Sequence, residues 1–255
     1  MEPKVVPITV ILISSNQYKK LPKAVSNLLN LLAGTGSNLR ENSEKLEGDM
    51  VFLRKRNGVV RKVFRWPNGQ ICYTISPSYN QSQADIIRST IASGFSGTCA
   101  QWKECHTCCN GDYINITYSN DHGCESAVGR WGGQQILNFQ SSCFDRGTML
   151  HEMLHAVGFR HQHNSPDRDD YITINRENLK DGSTTVLKKY TSSEVTNFGL
   201  PYDYCSVSHY SMFASSKNGK PTIVPKFPTT CELGTATDLS PIDKKKINLM
   251  YPCGL

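Results

Sequence analysis

No apolar run in this 255-residue chain is long enough to cross a bilayer. The longest uncharged apolar stretch, Val5 to Ile13, has nine residues broken by Pro7 and Thr9, against the roughly 18 that a membrane-spanning helix needs. No membrane span is therefore expected. Internal repeats and low-complexity tracts are also missing, which argues against solenoids and disordered polymers. A basic stripe with interleaved aromatics is absent too. The formal charge of +6 divides after Arg56, with nine Lys/Arg against five Asp/Glu in residues 1–56 and nineteen against seventeen in residues 57–255. The body is thus close to neutral, and nucleic acid is not an expected partner.

Cysteine is absent from the first 71 residues, whereas all ten cysteines lie between Cys72 and Cys253. An even number at that density points to disulfides and an oxidising, extracellular compartment. The N-terminus agrees, since Lys4 precedes the apolar stretch and Ser14-Ser15 follows it, as in a secretory signal. Three zones follow: a signal peptide over 1–16, a cysteine-free propeptide over 17–56, and the cysteine-rich body over 57–255. The second zone carries one amphipathic piece, with Val25, Leu28, Leu29 and Leu32 on one helical face. It ends in Arg54-Lys55-Arg56, a tribasic cluster suited to an activating protease.

In the body, Trp66-Pro67-Asn68-Gly69 is a turn signal and Gln70 to Ile75 should be a strand. A helix should follow, capped by Ser82 or Asn80, with Ala84, Ile87, Ile91 and Phe95 as its core stripe. Tyr113 to Tyr118 alternates as a strand, and Gln134 to Phe139 reads as another. Ser240-Pro241 starts a final helix with Ile242, Ile247 and Met250 on its apolar side. Asn80-Gln81-Ser82 and Asn115-Ile116-Thr117 fit the N-glycosylation pattern of a secreted glycoprotein.

The chemistry concentrates in His151-Glu152-Met153-Leu154-His155-Ala156-Val157-Gly158-Phe159-Arg160-His161. Positions four apart on a helix stand one above the other, so His151 and His155 can present two imidazoles to one metal ion. Glu152 is rotated about 100° around the helix, within reach of a water on that metal without being a ligand. Gly158 suits the left-handed turn that ends a helix, which lets His161 return as a third ligand. Three neutral nitrogens with an open fourth position make a catalytic zinc site. From this composition the full pattern has roughly 0.00002 chance occurrences, so coincidence is a poor explanation.

H-E-x-x-H-x-x-G-x-x-H is the metzincin zinc motif, and its surroundings resemble the astacin family of secreted zinc endopeptidases. The likeness covers nearly all of 57–255. It includes Trp66-Pro67-Asn68-Gly69, Val128-Gly129-Arg130 with Gly132-Gly133, Asp167-Arg168-Asp169, Tyr202-Asp203-Tyr204, Ser206 to Tyr210, and Lys246-Ile247-Asn248 with Tyr251. The resemblance implies an α+β fold with two lobes about a cleft, a sheet and two long helices in the first lobe and a mostly irregular second. It implies that His151, His155, His161 and Tyr210 bind one Zn2+, Tyr210 swinging away when substrate enters. Glu152 would be the general base and Tyr210 a hydrogen-bond donor to the oxyanion. An extended peptide or protein substrate would lie along an edge strand near Trp131 to Phe139. Leu46-Glu47-Gly48-Asp49-Met50 resembles the family's prosegment motif, so Asp49 would ligate zinc in the latent enzyme until cleavage near Arg56. The chain ends four residues after Tyr251, so none of the adhesive modules often appended in the family is expected, and a monomer is the expected state.

Two positions depart from the family pattern. Gln162 stands where a Glu usually ties down the new N-terminus, and Ser208 stands where the turn beneath the metal usually has Met. The resemblance implies disulfides Cys99–Cys253 and Cys124–Cys143. Cys205 with Cys231 is a guess beyond it, and Cys72, Cys105, Cys108 and Cys109 are left unassigned. A secreted zinc-containing binding protein without proteolysis is the alternative reading, motivated by Gln162 and Ser208, although the retained Glu152 speaks against it. A metalloenzyme for small molecules would need a closed pocket instead of a groove.

Overall fold

Residues 43–46, 49–53, 62–105 and 111–253 are described by a computed structural model. The expected signal segment, the amphipathic stretch around Leu28 and the tribasic cluster lie outside them, as do Cys108 and Cys109.

The frame is a seven-stranded mixed sheet. Its strands are β1 (Ser43–Leu46), β2 (Met50–Leu53), β3 (Gln70–Ile75), β4 (Gln101–Glu104), β5 (Tyr113–Thr117), β6 (Glu125–Ala127) and β7 (Gln134–Asn138), in the spatial order β1-β2-β6-β7-β5-β3-β4. β3, β4, β5 and β7 run parallel, which requires crossover connections. Helix α1 (Gln81–Gly94) supplies the one between β3 and β4. Asn80, not Ser82, caps it: Asn80 Oδ1 accepts from the Gln83 N–H while Gln83 Oε1 accepts from the Asn80 N–H, satisfying two otherwise orphaned donors. Ala84, Ile87 and Ile91 on its inner face are buried.

Helix α2 (Arg146–Val157) is capped by Asp145, whose Oδ1 accepts from the Thr148 N–H. Met149, Leu150, Met153, Leu154, Ala156 and Val157 are all at most 1% exposed, the mark of a helix central to its core. Where α1 crosses it, a Cβ on Gly94 would lie 2.3 Å from Leu150 Cδ2. The carbonyls left open at the C-terminal end of α2 are taken up by distant residues. Trp66 Nε1–H donates to Ala156 O at 2.9 Å and Tyr251 O–H donates to Val157 O at 2.6 Å, which ties both ends of the body to the helix that carries the histidines.

After α2 the chain is mostly irregular, with a two-stranded ribbon of β8 (Ile172–Ile174) and β9 (Ile223–Pro225) and a closing helix α3 (Pro241–Met250). A second core of Ile172, Leu179, Leu187, Tyr202, Ile223 and Leu233 forms there. Disulfides join Cys99 to Cys253, Cys124 to Cys143 and Cys205 to Cys231. Cys105 is also disulfide-bonded, and Cys72 carries a free thiol. The architecture is α+β with two cores, as expected.

One expectation is corrected. Residues 131–139 do not provide an edge, because β7 lies between β5 and β6. Next to β7 on that side lies β6, and β2 covers β6 in parallel, pairing Met50 with Ser126 and Val51 with Ala127. β6 has three residues, all buried, too few to show alternation in the sequence.

Candidate metal centre

One helix and the turn that ends it bring the histidines together. His151 and His155 stand one turn apart on α2. At its end Gly158 adopts φ 126°, a value that L side chains rarely take, and its N–H donates to His155 O at 2.8 Å. This reversal returns the chain so that His161 faces the helix it has just left.

The Nε2 atoms of His151, His155 and His161 lie 3.0, 3.2 and 3.2 Å from one another. A triangle of that size has its centre about 1.8 Å from each corner, so a point about 2.0–2.1 Å from all three nitrogens lies about 1 Å off their plane, matching zinc–imidazole bond lengths. His151 Nδ1–H donates to Val207 O at 2.8 Å and His155 Nδ1–H to Phe159 O at 2.7 Å. These bonds leave Nε2 as the lone-pair nitrogen of each ring. Lone pairs converging at 3 Å repel one another unless a cation lies between them, so this donor set fits a metal ion. His155 and His161 are 0% and 2% exposed. Burial first, and then the neighbouring imidazoles, hold His155 well below the ordinary histidine pKa, keeping it neutral as a ligand must be.

Asp49 closes the fourth side. Its Oδ1 lies 3.1 Å from His161 Nε2, and its Oδ2 lies 3.2 Å from His151 Nε2 and accepts from the Tyr210 O–H at 3.2 Å. Burial alone would raise its pKa, but the facing His161 and His151 bring it well below the usual carboxylate value. Asp49 and the three histidines can hold one zinc ion, their ligand atoms all lying within 4.8 Å of one another. The Tyr210 ring packs against His161 at a tilt of 54°, with ring centroids 4.3 Å apart.

Glu152 is 1% exposed. It lines a cavity of about 610 Å3 together with Asp49, Asp145, Thr148, Tyr210 and Ser215, a size common for ligand sites. Asp49 therefore sits in the same recess as the carboxylate expected to act there.

Both departures take polar partners. Gln162 Oε1 accepts from Lys246 Nζ at 2.5 Å, and both residues are 6% exposed. Ser208 Oγ lies 3.0 Å from Ser206 Oγ. Lys246 was a family match in the sequence without a role; its link to Gln162 spans 84 positions, and no local pattern signals it.

The model of the peptidase family Astacin matches residues 58–252. The chain belongs to the astacin family. It is 40% identical over 200 residues to the zinc metalloproteinase nas-8 of Steinernema carpocapsae, covering 78% of this chain and 47% of that protein. It is 39% identical over 199 residues to the zinc metalloproteinase nas-7 of Caenorhabditis elegans, covering 78% and 51%. This astacin thus spans about half the length of the curated relatives it matches. Among solved structures it resembles high choriolytic enzyme 1, a hatching enzyme zinc-protease from Oryzias latipes, with TM-score 0.67 and 31% identity over 74% of this chain and 94% of that one. Myroilysin, at TM-score 0.56 and 20% identity over 76% and 98%, shares the fold. Among the described residues no helix is long and apolar enough to cross a membrane.

Proposed function

We propose that this astacin is a secreted zinc endopeptidase made as a zymogen, with 1–16 as signal, 17–56 as propeptide and 57–255 as catalytic domain. The observation that carries the reading is the convergence of three histidine nitrogens around one point, with Asp49 of the leader across it and Glu152 in the same recess. His151, His155 and His161 would hold the ion, and Tyr210 would join them once Asp49 has left. When bound, zinc supplies Lewis acidity toward a peptide carbonyl and toward water.

The protein's own groups do the rest. Glu152 accepts a proton from the attacking water and returns it to the leaving amine, a transfer favoured by its nearly complete burial. The Tyr210 hydroxyl, which swings away when substrate enters, then donates to the developing oxyanion. Removal of β2 uncovers the β6 edge, where an extended substrate can satisfy its backbone groups by strand addition. Cleavage near Arg56 would sever the leader that carries Asp49 and β2.

The test is to trim the chain at Asn57 and follow a quenched protein substrate with and without chelator, alongside Glu152→Ala. Turnover that chelator and Glu152→Ala both abolish is the expected result. Turnover persisting in Glu152→Ala refutes the assignment of the base. Zinc bound without turnover in any processed form would instead establish the binding-protein reading.

A further inference from the structure

The floor under the histidines is a buried polar network reaching to the last helix. His151 donates through Nδ1–H to Val207 O at 2.8 Å, and the Val207 N–H donates to Asp243 Oδ2 at 3.0 Å. Asp243 lies on α3, 36 residues further along the chain. Its Oδ1 accepts from the Ser206 hydroxyl at 2.7 Å, and Oδ2 also accepts from the Ser240 N–H at 3.1 Å. Ser206 Oγ in turn accepts from the Ser208 N–H at 3.2 Å, and Ser208 O accepts from the Gln162 N–H at 3.1 Å, one residue past His161. Ser206, Val207, Ser208 and Asp243 are 1, 5, 3 and 3% exposed. Water therefore does not compete for these bonds, and the segment between Ser206 and Ser208 has its polar groups held from the α3 side.

A carbonyl that orients a metal-binding imidazole is useful only if its own position is fixed. Val207 is held at both of its backbone polar groups, by His151 on one side and by Asp243 on the other. With Ser208 in place of a thioether, the hydroxyl pair Ser206 and Ser208 extends the network where an apolar contact would otherwise sit. We propose that Asp243 is a positioning residue of the metal centre, its carboxylate fixing the 206–208 segment so that the Val207 carbonyl holds the His151 ring on the ion. This rests on the reading that the three histidines bind zinc. The competing account is that Asp243 serves only α3, where it forms a capping box with Ser240.

Ser240 separates the two, because its hydroxyl completes the same capping box and donates to Asp203 Oδ2 instead of to the 206–208 segment. Zinc-loaded wild type, Asp243→Asn, Ser206→Ala and Ser240→Ala are compared for zinc release into excess chelator, for Tm, and for the visible absorption of the cobalt-exchanged protein. Asp243→Asn should release zinc about ten- to a hundredfold faster and alter the cobalt spectrum, as expected for an outer partner of a ligand. Ser206→Ala should shift release in the same direction by less, and Ser240→Ala should lower Tm while leaving release within about twofold. Wild-type release and spectrum in Asp243→Asn would overturn the proposal, and so would acceleration in Ser240→Ala matching that in Asp243→Asn. Should Asp243→Asn not fold, unchanged release in Ser206→Ala overturns it. Wild type that takes up no zinc would refute the metal reading itself, a failure distinct from wild-type uptake with indifferent variants.

Discussion

Asp49 is the residue whose removal tests the proposed latency. It meets His161, His151 and Tyr210 at 3.1–3.2 Å. Asp49→Ala in the untrimmed chain should therefore raise turnover of a small peptide substrate well above that of the untrimmed wild type, measured before any cleavage near Arg56. Equal inactivity would mean that the strand pairing of β2, and not its aspartate, keeps the site closed. Glu152→Gln in the trimmed form should lower kcat by about 10²–10⁴-fold with one zinc per chain retained by metal analysis. Glu152 could be read from the residues themselves, because H-E-x-x-H imposes its geometry within one helix and Gly158 signals the return of His161, whereas Asp49 was legible only through the resemblance of Leu46 to Met50 to the family's prosegment motif. Lys246 could not be assigned that way. Its ammonium is drawn to Gln162, Asp243 and Asp203 by the packing of α3, and nothing within a local window of residues announces that contact.

At the scale of elements, α3 carries the charge balance of the second lobe's floor. Burial holds the Lys246 pKa below its ordinary value, opposed in part by the nearby Asp243, Asp203 and Asp167. Lys246→Met leaves the buried Gln162 Oε1 without its donor and should cost about 1–3 kcal/mol, read from the urea midpoint and slope. By comparison, Asn80→Ala removes only the cap of α1 and should cost about 1 kcal/mol with kcat unchanged. Helices were the most legible elements: α1, α2 and α3 each begin at a side-chain cap and follow an apolar pattern visible in the sequence. Strand order was not legible. Gln134 to Asn138 reads as a strand but not as an interior one, since its neighbours β5 and β6 are chosen by long-range pairing. β6 itself is too short to declare itself. The edge expected near Trp131 to Phe139 therefore lies one strand away, at β6.

For the molecule as a whole, burial of neutral histidines links folding to pH. His209 donates or accepts at both nitrogens, to Tyr202 Oη at 2.8 Å and Tyr210 O at 2.7 Å, and burial pushes its pKa down to about 4. His163, in the same lobe, is also held well below 6.5, first by burial and then by His161 and His209. In the unfolded chain both bind protons near pH 6.5. Between that value and the folded pKa the unfolded state carries more protons, so stability falls as the pH drops through this window and is complete above it. His209 alone should contribute on the order of 2–3 kcal/mol of loss between pH 7 and pH 4. His209→Asn should be less stable than wild type at pH 7 and should show a shallower decline toward pH 4. The wild-type minus variant difference in urea midpoint, taken across that range, isolates this residue from the zinc ligands that titrate alongside it. A difference that stays constant with pH would mean that His209 titrates in the folded protein as it does in the unfolded chain, and that the second lobe accommodates an imidazolium against Tyr202.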